Sequence, residues 1–333
     1  MTSAPSTGYR RLALATGVAT FLLIIVGGIV RVSDSGLGCG PGGSGFHGWP
    51  FCNGDVVPGL DLNSVIEYTH RALAGVVGIL IVALAIQSWR RYRAHRMLVW
   101  VTCGLVLLVF AQAVLGGATV EENLEEALVA AHLGLAMLLL GGLLWVWRAT
   151  RPDVPGAPPA DGGPRFRALA VATTVGVLCT IVAGGYMAGT QKYGRPDYQL
   201  GDGAHHACGK EFPSCNGDFM PFGQARHVDI HLTHRAFMYV TTLLALALVA
   251  AAVRRRPSPG VVRWAGGIAV VLVLQLLVGA LNVWLDEYET LIVLHLALGT
   301  LLWTAALGLT LQLYRIPAPA PEHARGHTEA VTA

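Results

Sequence analysis

The chain has 333 residues, of which 53% are hydrophobic and only 13% charged, and its net charge is +3. Soluble domains carry about 25% charged residues, so a water-soluble globular enzyme is excluded as an account of the whole chain. The net charge is uninformative alone; the basic clusters need no nucleic-acid reading, because membrane orientation explains them.

The predicted elements follow from charge-free apolar runs near the roughly 20 residues needed to cross hydrocarbon. The first, residues 12–30, is long for a signal-peptide core and is followed by no clean cleavage site. It is read as an uncleaved first helix. Runs at 72–88, 97–120 and 127–147 follow, so residues 1–150 are expected to form an N-terminal four-helix unit. Residues 151–164 (RPDVPGAPPADGGP) read as a Pro/Gly-rich cytoplasmic linker with no means of packing a core. Runs at 168–191, 236–253, 264–285 and 290–314 give a second four-helix unit over 165–315. Residues 316–333 are Pro/Ala-rich and expected to be a disordered cytoplasmic tail. The runs lack the alternation of a membrane β-barrel. The expected fold is therefore an all-α polytopic membrane protein with eight transmembrane helices, two four-helix bundles related by a pseudo-twofold axis along the membrane normal.

Eight spans put both termini on one side. That side collects 16 of the 23 Lys and Arg, among them Arg10, Arg90, Arg148, Arg254 and Arg315. The positive-inside rule then places both termini in the cytoplasm of a cell-membrane protein. Cys39, Cys52, Cys208 and Cys215 fall in the two large outward loops, where disulfides Cys39–Cys52 and Cys208–Cys215 are expected; free thiols and metal ligation are the alternatives. The short outward loops carry Glu121, Glu122, Glu125 and Glu126, and Asp286, Glu287 and Glu289. These runs read as solvated faces, with partner docking as the second reading.

The two units echo each other. Cys52-Asn53-Gly54-Asp55 precedes Glu67-Tyr68-Thr69-His70-Arg71, and Cys215-Asn216-Gly217-Asp218 precedes His231-Leu232-Thr233-His234-Arg235. Gln112, Gly116 and His132 answer to Gln275, Gly279 and His295. Each unit thus offers two histidines at one depth, on non-adjacent helices. Facing side chains in bundle cores hold cofactors, and paired imidazoles suit an iron porphyrin. A satisfied core histidine, zinc or a proton relay are the competing readings. Four histidines in matched pairs inside a bilayer weigh toward a functional site.

Glu67 lies one turn before His70 and shares its face, which makes it a candidate general base. Its counterpart is His231, so the two halves are not equivalent. Arg71 and Arg235 are candidate contacts for porphyrin propionates or snorkel to the interface. Gln112 and Gln275 are expected to hydrogen-bond between helices. Gly27-Gly28, Gly116-Gly117 and Gly184-Gly185 are expected to permit close helix packing. His47, His205, His206 and His227 read as loop residues.

Gly27-Gly28-Ile29-Val30-Arg31, Ser35-Gly36-Leu37-Gly38-Cys39, Trp49-Pro50-Phe51-Cys52-Asn53-Gly54 and Glu67-Tyr68-Thr69-His70-Arg71 resemble the haem A synthase family. The resemblance covers residues 11–315. It implies an oxidoreductase that oxidises the C8 methyl of haem O to a formyl group, giving haem A for terminal oxidases. It also implies substrate haem O against His70 and His132 in the first half, and one haem b with axial ligands His234 and His295 in the second. Glu67 would be the essential carboxylate near the methyl, and the loop cysteines would pair. Implied partners are a haem O synthase and an electron acceptor such as a quinone. The Gly-rich stretch at 40–48 is longer than the family spacing often allows. A non-catalytic dihaem b-type electron carrier is the rival reading: the symmetry of the histidines favours it, and Glu67 opposite His231 does not. No paired Asp-rich motifs support a prenyltransferase.

Overall fold

A computed structural model describes residues 5–191, 203–285 and 288–318. Asp286, Glu287, the tail from residue 319 and part of the second cysteine loop lie outside the described residues. Eight helices are long and apolar enough to cross a membrane, and no strands accompany them among the described residues. They are α1 (Thr7–Val32), α2 (Leu62–Arg91), α3 (Arg96–Glu121), α4 (Glu126–Ala149), α5 (Gly163–Gly189), α6 (Arg226–Arg255), α7 (Pro259–Trp284) and α8 (Glu289–Gln312).

Local chemistry sets several of their starts. The Ser6 hydroxyl accepts from Tyr9 N, the Asp61 carboxylate from Ser64 N, and Glu125 from Ala127 N and Leu128 N. Each satisfies orphan N–H groups of a first turn. Ser258 caps α7, and Pro259 stands at the first helical position, where its missing N–H costs nothing.

The packing recurs. α1 touches α2 and α4, and α3 touches α2 and α4; α5 touches α6 and α8, and α7 touches α6 and α8. The first four helices meet the last four through α4 against α5, α1 against α8 and α4 against α8. Residues between α4 and α5 are tied to the end of α8: Gly156 N donates to Ile316 O at 2.8 Å and Ala160 N to Gln312 O at 3.0 Å. Ile316 is buried there, with Val154 packed on the same apolar cluster.

Both cysteine loops close on the same turn. Asn53 and Gly54 have φ of 53° and 87°, and Asn216 and Gly217 have φ of 52° and 85°. Two successive left-handed residues suit Asn-Gly. The turn lets Cys52 N reach Asp55 O and Cys215 N reach Asp218 O, both at 2.8 Å. The disulfides Cys39–Cys52 and Cys208–Cys215 are formed as expected. Cys103 and Cys179 are free and lie inside spans.

Candidate functional site

His70 is the ninth residue of α2 and His234 the ninth of α6; His132 is the seventh of α4 and His295 the seventh of α8. At 1.5 Å per residue they sit about 12 Å and about 9 Å from the helix starts. All four line one cavity of about 1170 Å³ that runs through both sets of four helices. That exceeds the roughly 300–1,000 Å³ usual for one small-molecule site and suits more than one large flat ligand.

Each histidine ring lies against a glycine of the preceding helix. A Cβ at Gly27 would stand 3.1 Å from His70 Cε1, at Gly116 3.3 Å from His132 Cε1, and at Gly184 and Gly279 2.9 Å from Cε1 of His234 and His295. Only glycine gives the ring this position. The second glycines serve helix contact, as expected: Gly28 faces Leu296 of α8 and Gly185 faces Leu133 and Ala130 of α4. Gly117 instead receives the Trp49 ring from the first loop.

Several polar atoms of the residues around this space are buried with no protein partner. His70 Nδ1, His132 Nδ1, His295 Nδ1, Gln112 Oε1 and Gln275 Oε1 are buried without a hydrogen bond. Leaving such a group unpaired costs about 1–3 kcal/mol. His234 Nδ1 donates to Thr180 O at 3.0 Å, the support that leaves the other ring nitrogen for a metal. Paired imidazoles, flanking glycines and apolar walls fit an iron porphyrin. No group of three or more His, Cys, Asp or Glu positioned for a bare metal ion occurs among the described residues. Gln112 Nε2 donates to His132 O at 3.0 Å, and Gln275 Nε2 lies 3.2 Å from His295 Nε2. Both glutamines bond to the next helix, as expected.

The asymmetry between the halves is a reversal of hydrogen-bond direction. Glu67 is 3% exposed; its Oε2 accepts from Cys39 N at 2.8 Å, and its other oxygen pairs with Arg71. His231, equally buried, donates from Nδ1 to Ala204 O at 2.9 Å. Each side chain ties its helix to its own cysteine loop, one as acceptor and one as donor. Among the described residues only the first half keeps a carboxylate at the cavity.

Arg71 donates to Gly48 O at 2.7 Å and Phe51 O at 2.9 Å. Arg235 donates to Ser214 O and Glu211 O, both at 2.7 Å. Both arginines also line the cavity. The Gly-rich stretch of the first loop packs on the α3–α4 connection, where Gly42 N donates to Asn123 Oδ1 at 3.3 Å.

Three residues depart from their expected surroundings. His205, expected in an open loop, sits in a short 3-10 turn (Ala204–Cys208), is buried and lines the cavity. Burial, reinforced by Arg31, His206, His231 and His234, lowers its pKa to about 3, so it is neutral at pH 7. His206 shares that turn, and His227 belongs to the first turn of α6. His47 stays on an exposed loop, as expected. Glu126, expected on a solvated face, is buried and pairs with Arg226 at 2.5 Å, joining the starts of α4 and α6. The acidic run contributes a cap and an ion pair because its last two residues begin a helix. Arg31, at the end of α1, reaches across to the carbonyl of Ala188 at 2.6 Å and to that of Gln191.

Comparison with known proteins adds the family. A family model described as cytochrome oxidase assembly protein (COX15-CtaA) matches residues 60–307, well over half of the chain. A protein of Shouchella clausii named "Heme A synthase" is 28% identical over 305 residues, covering 89% of this chain and 94% of its own length. One of the same name from Halalkalibacterium halodurans is 27% identical over 295 residues, covering 87% and 91%. A third, from Bacillus licheniformis, is 33% identical over 135 residues, covering 40% and 43%. With its eight spans, its two pairs of glycine-backed histidines and a family match over more than half its length, the chain belongs to the COX15-CtaA family of cytochrome oxidase assembly proteins.

Proposed function

We propose that this protein makes haem A for terminal oxidases by oxidising the C8 methyl of haem O to a formyl group. The observation that carries the reading is the cavity lined by all four histidines with a single buried carboxylate, Glu67, beside one pair. The similarity to proteins named "Heme A synthase" supports it. In this reading residues 1–150 hold the substrate and 165–315 the cofactor, joined by 151–164 and followed by the tail 316–333. His70 and His132 face the haem O iron, and His234 and His295 hold haem b. A b-type haem held there supplies one-electron redox capacity.

The chain's own residues then have defined tasks. The glycine-backed imidazoles of His70 and His132 fix the macrocycle in one plane, which sets the position of the methyl relative to Glu67. Glu67, anchored by Cys39 N and Arg71, accepts protons released as the methyl is oxidised. In each of two successive two-electron oxidations a methyl C–H is replaced by C–OH with oxygen taken from water, releasing two protons and two electrons, and the hydrated aldehyde so formed loses water to leave the formyl group. The cysteine loops, held by Arg71 and Arg235, cover the cavity mouth and limit water entry, and those arginines keep further N–H donors for the propionates. Electrons leave to an acceptor such as a quinone, and a haem O synthase supplies the substrate. The distribution of arginines supports cytoplasmic termini and cysteine loops on the outer face of the cell membrane.

The test is mass-resolved chromatography of haems extracted from membranes of a host that lacks its own haem A-forming enzyme and co-expresses a haem O synthase. Haem A is expected with the intact protein. The Glu67→Gln variant is expected to keep its haem b absorption and yield no haem A. Unchanged haem O beside a folded protein carrying two tight b haems would replace this reading with that of a dihaem electron carrier.

A further inference from the structure

The cavity is not the same shape in the two halves. Along α2 its lining extends to Val82, twelve residues beyond His70, and along α3 to Val106, ten residues before Gly116. Along α6 it stops at Thr242, eight beyond His234, and along α7 at Leu272, seven before Gly279. At 1.5 Å per residue the first half thus runs about 18 Å past its histidine and the second about 12 Å. On the other two helices the depths match: Thr20 and Val177 each lie seven residues before their ring-bearing glycine, and Leu139 and Leu302 seven beyond their histidine. The extra depth is confined to the seam between α2 and α3.

That seam is apolar and open to the side. Gly75 and Gly78 line it, and a Cβ at either would meet nothing within 4 Å. Gly17, Gly104, Gly266 and Gly267 also face open space, but none of them borders the cavity. Across the seam, Phe110 and Ala113 line the same groove, and Phe110 is 70% exposed in the middle of its span. At the head of the groove stand His70 and His132, both lining the cavity. The second half carries Met238, Tyr239 and Thr242 where the first has Ala74, Gly75 and Gly78, and Leu276 where it has Ala113. Met238, Thr242 and Leu276 line the cavity there, while the Tyr239 ring lies outside the lining and packs on Phe219 with centroids 5.8 Å apart.

We propose that the α2–α3 groove is the subsite for the isoprenoid tail of the porphyrin substrate, and that Gly75 and Gly78 keep it open while their bulkier counterparts close it in the second half. The inference rests on the reading of haem O as substrate and deepens it: the tail, more than the iron ligands, decides which half takes which porphyrin. The histidines, glycines and glutamines are matched between the halves and cannot discriminate. A farnesyl chain can lie extended along the groove, against apolar walls, with its far end reaching the lipid-facing opening.

The test compares two ligands on purified full-length protein in lipid nanodiscs: haem O, and the same haem with the farnesyl chain absent. Dissociation constants are read by optical titration, with haem b resident. The intact protein is expected to bind the tailed ligand at least about tenfold more tightly, since buried methylenes carry the difference. Gly75→Tyr and Gly78→Thr, which install the second half's residues, are expected to bring the ratio close to one. The haem b spectrum and the affinity for the tail-less ligand should stay unchanged. Both substitutions enter open space, and either alone suffices if the other does not accumulate folded protein. A ratio near one in the intact protein, or a ratio that neither variant alters, would overturn the proposal and leave the groove as a cleft filled by lipid acyl chains. Haem A formation is scored separately. Oxidation of haem O with an unaltered ratio removes the groove and keeps the reaction; a tail-dependent ratio without oxidation keeps the groove and removes the reaction.

Discussion

Four glycines set the positions of four imidazoles. At Gly184 and Gly279 a methyl group would stand 2.9 Å from the ring carbon of His234 or His295, closer than packed carbon atoms tolerate. Gly279→Val is therefore expected to displace the His295 ring and abolish the haem b absorption spectrum. Gly267→Val, on the same helix but facing open space, should leave that spectrum intact. Optical spectra of the two purified variants decide this, and equal spectra would count against the ring-seating role. Glu67 has a second duty: its bond to Cys39 N, worth about 1.5–3 kcal/mol for a charged acceptor, ties α2 to the loop. The histidine quartet was legible in the sequence because duplication repeats its spacing. The glycine partners were visible as glycines, though their contact with the rings was not, since it joins residues 43 to 50 apart in the first and third pairs. His205 was not legible at all. It has no counterpart in the repeat, and its burial comes from the fold of a loop over the cavity.

At the scale of the element, hydropathy located all eight spans but shortened two. α2 and α6 begin ten residues before the apolar runs that start at Ala72 and Ala236. Those first turns carry Glu67 and Arg71, or Asp229, His231 and Arg235, and charged residues interrupt an apolar run without interrupting a helix. The cavity-lining histidine of α2 and of α6 is thus built on the polar entry to a span, the part that composition hides. Each cysteine loop is closed by its disulfide and pinned to such an entry by its arginine. Replacing Cys208 and Cys215 by Ser is expected to raise amide hydrogen exchange over residues 203–218, where the Arg235 bonds to Glu211 O and Ser214 O lose their frame. The core of α6 should remain protected. Uniform exchange across both would show that the loop contributes to the stability of the whole helix.

Over the whole molecule, the two sets of helices meet on small residues. Gly28 of α1 fits Leu296 of α8, and Gly185 of α5 fits Leu133 and Ala130 of α4. Lipid tails are as apolar as leucine, so close packing of this kind drives association inside a bilayer. Gly185→Leu is expected to cost about 1–3 kcal/mol by overpacking and to lower the thermal midpoint, read by differential scanning fluorimetry in detergent. Gly17→Leu, into open space, should match the unaltered protein. The repeat announced two similar units; the seam between them was not readable, because any of the glycine pairs could have faced it.

One adjacency in the chain has a mechanical outcome. Arg71 follows His70 directly, and Arg235 follows His234. In each half the cavity-lining histidine and the arginine that grips the loop's carbonyls therefore ride on the same helical turn. Any shift of that turn is carried to the guanidinium and, through its hydrogen bonds, to the disulfide-closed loop. Each loop is thereby mechanically coupled to the histidine pair of its own half.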